Sequence, residues 1–315
     1  MFLLLLNRFI CAALLLISSL CYAKNREQPK VGLLLSSMKE QRYLFDKSYF
    51  LRMARHNGYE AHFRSAQNSH NIQMRQASDL IEQGVEVIIL QAYDSELAVN
   101  IVEYASNKGV AIVSYDRTIP SSKTIGHVFH DSFGIGKRQA EAILPLMVEE
   151  NRILVCGGDK ANSVATQINN AITQTLDPER VEIFHNRQWS KLRCEANVLK
   201  SFRKKSYMAI LANNSQMADG AIAALKKLNI EPKSIFVAGA DATRDSCHNI
   251  LQGYQDLDFH KPIEPLMQAA MEIVGNYLQK NTSISKRQVK VPVLPITKKN
   301  LDKHFKLPSC EKKLW

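Results

Sequence analysis

The feature that most constrains this chain is a repeating unit: a short apolar run of strand length, an amphipathic stretch of helical length, and often a glycine to end it. Val31-Gly32-Leu33-Leu34-Leu35 is the first run. A helix is expected from about Gln41 to Asn57, and a second strand near 61–65. The next helix, over 72–83, stops at Gly84, where a residue without a Cβ takes the left-handed cap at no steric cost. Val85 to Leu90 reads as a buried strand, 95–108 with Gly109 repeats the helix-and-glycine pattern, and Ala111 to Tyr115 is another strand. Runs that are apolar on both faces belong to a parallel sheet covered by helices on each side, so the fold class is α/β.

The pattern then starts again. After His127-Val128-Phe129-His130-Asp131 come a helix over 135–149, a strand at 153–156, a helix over 163–175, a strand at 181–185 and a helix over 194–203. A strand at 208–212, a helix over 216–228 and a strand at 235–240 complete the series. Two consecutive sets of βα units point to two Rossmann-like lobes with parallel sheets rather than one large sheet. No low-complexity or Pro/Gly-rich linker separates them. The crossings are therefore expected to be short, a multi-strand hinge in which a few residues absorb the dihedral change of closure.

The leader addresses the compartment. Arg8 precedes an apolar run from Phe9 to Leu20 and then Cys21-Tyr22-Ala23. At about a dozen residues the run is short of the roughly 18 needed to span a bilayer, so residues 1–23 read as a signal peptide cleaved after Ala23, and the mature chain as periplasmic and soluble. A retained anchor is the other reading; a lipoprotein is weaker, because Leu20 rather than a small residue precedes Cys21. The net charge of +11 is scattered. Its densest spots, Arg203-Lys204-Lys205 and Lys298-Lys299, lack interleaved aromatics and read as solvated faces, not as a nucleic-acid surface. Of the six cysteines, Cys11 and Cys21 leave with the leader, and Cys156, Cys194, Cys247 and Cys310 have no C-x-x-C spacing, which argues against a redox or zinc site. They can pair in an oxidising compartment, although Cys156, in an apolar strand, reads as a buried small hydrophobe rather than a bridge partner.

Catalytic signatures are missing: there is no Walker A loop, no H-E-x-x-H and no G-x-S-x-G elbow, so neither an enzyme nor a metal or cofactor site is expected. Gly134-Ile135-Gly136-Lys137-Arg138-Gln139-Ala140 fits G-x-G-x-x-A. It opens the second series, and no acidic residue ends a following strand at the dinucleotide spacing, so tight helix packing is the reading. What stands out instead is polar residues at the C-terminal ends of strands, where open α/β sheets bind ligands. Asp116 and Arg117 follow one strand, Asn213 and Asn214 another, Asp241 a third; Lys261 precedes Pro262, and Arg42 follows the loop after the first strand. Each alone reads as a helix cap. Their recurrence in both halves points to one cleft whose carboxylates, amides and guanidinium groups match hydroxyl groups. Asp116 with Asp241 is the one carboxylate pair that a glycoside hydrolase reading could use.

Val113-Ser114-Tyr115-Asp116-Arg117, Gly239-Ala240-Asp241-Ala242 and His260-Lys261-Pro262-Ile263 resemble the segments that build the sugar pocket of periplasmic D-xylose-binding proteins, the sugar-binding type I periplasmic binding proteins of ABC transporters. Ile72-Gln73-Met74, Gly84 to Ile89, Gln188-Trp189 and Gly220-Ala221-Ile222 extend the likeness collinearly, from about Lys30 to His304. The resemblance implies an N-terminal lobe of 24–129 plus 262–286 and a C-terminal lobe of 130–261 plus 287–315. It implies that Arg42, Asp116, Arg117, Asn214, Asp241 and Lys261 bond the oxygens of a monosaccharide, D-xylose or a related sugar, and that Tyr43 stands where the family has a tryptophan. Counted along the chain, Val164 takes the place of a pocket asparagine and Arg193 that of a second tryptophan, which opens the way to another pentose or to an acidic sugar paired with Arg193. The implied partner of the monomer is a membrane permease, or a membrane sensor or kinase reading the same closure. Related repressors carry a helix-turn-helix ahead of these lobes; here the apolar leader takes that place.

Overall fold

The computed structural model describes residues 28–280 and 287–304. The first series runs β1 (Lys30–Leu35), α1 (Arg42–His56), β2 (Glu60–Ser65), α2 (His70–Glu82), β3 (Val87–Leu90), α3 (Ala98–Asn107), β4 (Ala111–Tyr115) and β5 (Gly126–His130). The second runs α4 (Ser132–Ile143), β6 (Ile153–Gly157), α5 (Ser163–Thr175), β7 (Val181–His185), α6 (Lys191–Phe202), β8 (Ala209–Ala212), α7 (Ser215–Lys227), β9 (Phe236–Ala238) and α8 (Arg244–Gln252). Then follow β10 (Asp258–His260), α9 (Ile263–Leu278), β11 (Arg287–Val291), β12 (Leu294–Ile296) and the short α10 (Leu301–His304).

The strands form two separate parallel sheets, in the orders β11-β5-β4-β3-β1-β2 and β7-β6-β8-β9. Around the opening strand of each lobe the order is the same, β2-β1-β3-β4 and β7-β6-β8-β9. That order puts a topological switch point beside β1 and beside β6, and a crevice at the carboxyl ends of the strands. In the first lobe the period of two sorts the strand residues cleanly. Leu33, Leu35, Ile89, Val113 and Tyr115 face α1 and α9, while Leu34, Ile88, Leu90 and Ile112 face α2 and α3. Helix starts are set by side-chain caps: Ser69, Asp131, Asn162, Ser190, Asn214 and Thr243 each accept a bond from a backbone N–H in the first turn. Gly84 follows α2 at φ 80°, as its position in the sequence requires.

Gly136 of the G-x-G-x-x-A segment lies where α4 crosses α5, and a Cβ there would stand 2.2 Å from the Ile168 carbonyl oxygen. Gly220 does the same for α7 against the Lys191 carbonyl oxygen, at 2.3 Å. The motif is therefore a packing device.

Two expectations are corrected. The segment assigned whole to the second lobe, 287–315, is divided: β11 pairs with β5 from Arg287↔Gly126 to Val291↔His130, and Val289 and Val291 pack into the first lobe's core. β12 pairs antiparallel with β10 on the other side of the hinge. The chain thus crosses between lobes after β5, after β10 and after β11. Cys156 is also not an isolated hydrophobe. It is bonded to Cys194, with the two Cα atoms 6.0 Å apart, because α6 lies directly on β6. The leader, residues 1–23, and Cys310 lie outside the described residues.

The disulfide closes a loop of 38 residues within the second lobe. By chain entropy such a closure stabilises by about 4 kcal/mol. Replacing both cysteines by serine, or reducing the bond, is expected to lower the unfolding midpoint of the second lobe and to leave the first lobe's amide protection unchanged, as read by hydrogen exchange. Equal loss of protection in both lobes would contradict this.

Candidate functional site

Loops leaving the carboxyl ends of strands in both lobes meet in one cleft. The turn between β1 and α1 brings Glu40, Arg42 and Tyr43; the end of β4 brings Asp116 and Arg117. From the second lobe come Asn162, Val164, Trp189, Asn214 and Asp241, and Lys261 stands on the crossing after β10. Together these residues line a single cavity. Where the lobes touch, Ser95 N donates to Ala161 O at 2.9 Å and Thr118 N donates to Ser163 Oγ at 2.9 Å.

Arg42 is the centre of its electrostatics. Its guanidinium lies 3.3 Å from Asp116 Oδ1 in its own lobe, 3.7 Å from Asp46 Oδ2 one helical turn on, and 4.0 Å from Asp241 Oδ1 across the cleft. Lys261 Nζ holds the same Asp241 oxygen at 2.5 Å. Arg117 donates to Ala92 O at 2.7 Å and to the Tyr43 hydroxyl at 3.0 Å, and that hydroxyl donates in turn to Glu40 Oε1 at 3.3 Å. Burial alone would raise Asp116, but Arg42, the hydrogen bond from His130 and the charge of Lys261 outweigh it and hold this carboxyl well below the usual range. Asp46 shows the opposite balance: burial pushes it up to about 6, against the pull of Arg42 and the hydroxyl of Tyr115. Burial also lowers the pKa of His130, against the opposite pull of Asp116.

The two carboxylates on the cleft occupy matching places, since β4 and β9 have the same position in the two sheets. Both have left-handed backbones, Asp116 at φ 63° and Asp241 at φ 124°. Such conformations persist only when neighbours over-determine them. Asp116 N donates to Val128 O at 2.8 Å and Asp241 N to Phe259 O at 2.9 Å. Behind Asp241, the buried Asp258 carboxylate accepts from Ala242 N, Ser215 Oγ and Gln255 Nε2 at 2.9, 2.8 and 2.7 Å, which fixes the turn.

Two asparagines work twice. Asn162 Oδ1 caps α5 and Asn214 Oδ1 caps α7, at 2.9 Å in each case. Their Nδ2 atoms are buried and find no acceptor among the described residues. An amide donor left so in a buried place costs free energy unless a ligand or water accepts from it. Trp189, at φ 55°, lays its ring against Gly158, where a Cβ would come within 2.6 Å of Cη2. The site thus combines an aromatic plate, free amide donors and ion-paired carboxylates, a set suited to a polyhydroxylated ring.

Arg42, Tyr43, Asp116, Arg117, Asn214, Asp241 and Lys261, all anticipated from sequence, are brought together here. Arg193 is not: it is exposed in the first turn of α6, where its N–H donates to the Ser190 cap. Val164 does line the cavity, yet the amide assigned as lost is supplied by Asn162, two residues earlier, and the aromatic plate by Trp189, four before Arg193. Tyr43 has its ring in the core of the first lobe and offers its hydroxyl to the site. Glu40, Asn162 and Trp189 were missed. Counting along the chain does not find them; Trp189 alone left a signal, in Gln188-Trp189.

A family profile described as periplasmic binding protein domain matches residues 31–282. The D-xylose-binding periplasmic protein of Escherichia coli K12 is 26% identical over 275 residues, which cover 84% of this chain and 81% of that protein. Its counterpart in Haemophilus influenzae is 26% identical over 286 residues, covering 87% of this chain and 84% of that protein. Among solved structures, the carbohydrate transporter solute binding protein of Chloroflexus aurantiacus, in complex with D-glucose, superposes with a TM-score of 0.80 at 20% identity, covering 91% of this chain and 98% of that one.

Asp46 binds its proton more tightly in the folded protein than at its ordinary value of 3.8, so its contribution to stability is greatest at low pH and falls as pH rises from about 4 to 6. Asp116 contributes with the opposite sign: stability present above the usual carboxylate range is lost as pH falls. Carbon-13 NMR of the Asp46 carboxyl is expected to titrate near pH 6, and Asp46→Asn to flatten the decline in stability between pH 4 and 6. A carboxyl that titrates below 4.5 would contradict the geometry.

Proposed function

The chain belongs to the periplasmic binding protein family, and from that premise we propose that it is an extracytoplasmic receptor for a monosaccharide-like polyol, which it delivers to the permease of an ABC transporter. One observation carries the reading: donors and acceptors from both lobes, with Asn162 and Asn214 presenting free amide hydrogens, converge on one cavity. A ring whose hydroxyls bond Asp116 and Arg117 on one side and Asn214 and Asp241 on the other has its full set of partners only in the closed form. It therefore shifts the population toward closure by its differential affinity. A permease that recognises the closed outline then responds to loading. The same closure could serve a membrane sensor, but no feature of the cleft favours that over transport.

A hydrolytic reading is weaker. Asp116 and Asp241 both lean on one guanidinium, and Asp116 is held ionised, which suits hydrogen-bond acceptance and not donation of a proton to a leaving group. The relatives' names make D-xylose the first sugar to try. Since Asn162 and Trp189 supply the groups that the sequence reading assigned as missing, the argument for an acidic sugar from Arg193 falls away. Export through the leader at 1–23 accords with the role and remains part of the proposal.

Asn214→Asp keeps an α7 cap of equal quality and removes the Nδ2 donor. It is expected to weaken sugar binding about tenfold or more in calorimetry, with circular dichroism melting showing that the variant is folded. Unchanged affinity would remove Asn214 from the site. A thermal-shift screen of pentoses, hexoses and cyclitols tests the reading as a whole: at least one is expected to raise the melting temperature, and silence across the panel would overturn it.

A further inference from the structure

The charges around the cavity do not balance. Glu40, Asp46, Asp116 and Asp241 face three cations, Arg42, Arg117 and Lys261. Arg42 is shared among Asp46, Asp116 and Asp241, Lys261 is held by Asp241, and Arg117 spends its N–H groups on Ala92 O and the Tyr43 hydroxyl. Glu40 is left with one hydrogen bond, from that neutral hydroxyl at 3.3 Å, and no ion pair among the described residues. Burial, and then the nearby Asp241 carboxylate, raise its pKa and outweigh the opposite pull of Arg117, Arg42 and Lys261, none of which forms an ion pair with it.

Its position adds to this. Glu40 lines both the cavity, with Asn162, Trp189 and Asn214, and an adjoining groove of about 160 Å³ between α1 and the crossing to α9, walled by Phe45, Tyr49, Pro262 and Ile263. A substituent on a ring seated in the cavity and pointing toward the groove passes the Glu40 carboxylate. A neutral hydroxyl there leaves the carboxylate without an ion pair of its own. A ligand carboxylate would be repelled by Glu40; Arg193 is exposed in the first turn of α6, and Arg42 and Lys261 already face carboxylates of the protein. A protonated amine forms charge-assisted hydrogen bonds, the strong kind, and completes the balance.

We propose that the ligand is a cationic polyol, a sugar or cyclitol in which an amino group replaces one hydroxyl, and that Glu40 is the counter-ion that selects it. This rests on the receptor reading above and sharpens it. The test is calorimetry at pH 7 with matched sets: D-glucose, D-glucosamine and D-glucuronate; D-galactose, D-galactosamine and D-galacturonate; and myo-inositol with its monoamino analogue. In at least one set the amine is expected to bind about tenfold or more tighter than its neutral parent, and the acid weakest. Glu40→Gln is expected to shrink the ratio of amine to parent toward one, and Glu40→Asp to restore part of it. Circular dichroism melting of each variant shows that it is folded. Tighter binding of the neutral parent or the acid in every set that binds, or a ratio untouched by Glu40→Gln, overturns the proposal and leaves the receptor reading standing. If no member of any set binds, the proposal falls, and the thermal-shift panel with its pentoses decides the receptor reading.

Discussion

The structure depends on what is done with one guanidinium. Arg42 is drawn out of water by the meeting of the lobes, and a buried cation is tolerable only when carboxylates and hydrogen bonds replace its hydration. Asp46 and Asp116 supply that from its own lobe, and Asp241, seconded by Lys261, from the other. The consequence is mechanical. The contacts that make the charge acceptable exist in full only when the lobes are together, so the electrostatics of one residue bear on the geometry of the whole molecule. Removing either cleft carboxylate costs more than a contact, since it leaves the others miscounted in a place of low polarity.

Around that centre the fold uses local structure economically. The equivalent strands β4 and β9 are followed by aspartates whose left-handed backbones are held by N–H bonds to the next strand, so each carboxylate is aimed before a ligand arrives. Pre-organisation of this kind reduces the ordering cost of binding. Asn162 and Asn214 show that a helix cap and a ligand donor are compatible in one side chain: the carbonyl oxygen satisfies the helix, and the amide nitrogen is left over for the cleft. The choice between cap and binding residue that the sequence poses is therefore no choice at all for an amide.

Much of the architecture was legible because hydrophobic periodicity and glycine punctuation report directly on burial and backbone. The strands from Val31 to Ala212 stand where the apolar runs are, and Gly84, Gly109 and Gly136 do what their positions imply. The division of 287–304 between the lobes was not legible: β11 is a five-residue edge strand whose partner is more than 150 residues earlier, and nothing local selects β5 over a strand of the other sheet. The Cys156–Cys194 pairing is tertiary in the same way. In the site, residues fixed to strand ends, such as Asp116, Asn214 and Asp241, could be found by rule. Of those reached by counting through loops, Val164 lines the cavity two residues after Asn162, while Arg193 falls outside it, four residues after Trp189. Glu40 carried no signal, because a glutamate in a polar turn has the ordinary look of a solvated residue.

The central claim is that one guest held from both sides joins the lobes. Spin labels at Leu97 and Lys160, exposed positions on facing rims of the cleft, report the separation directly by pulsed electron resonance. The account requires a broad or long distance distribution in the free protein to collapse to a single short distance with the sugar that binds, and to stay open in Asp241→Asn under the same conditions. A distribution that is identical with and without bound sugar would contradict it.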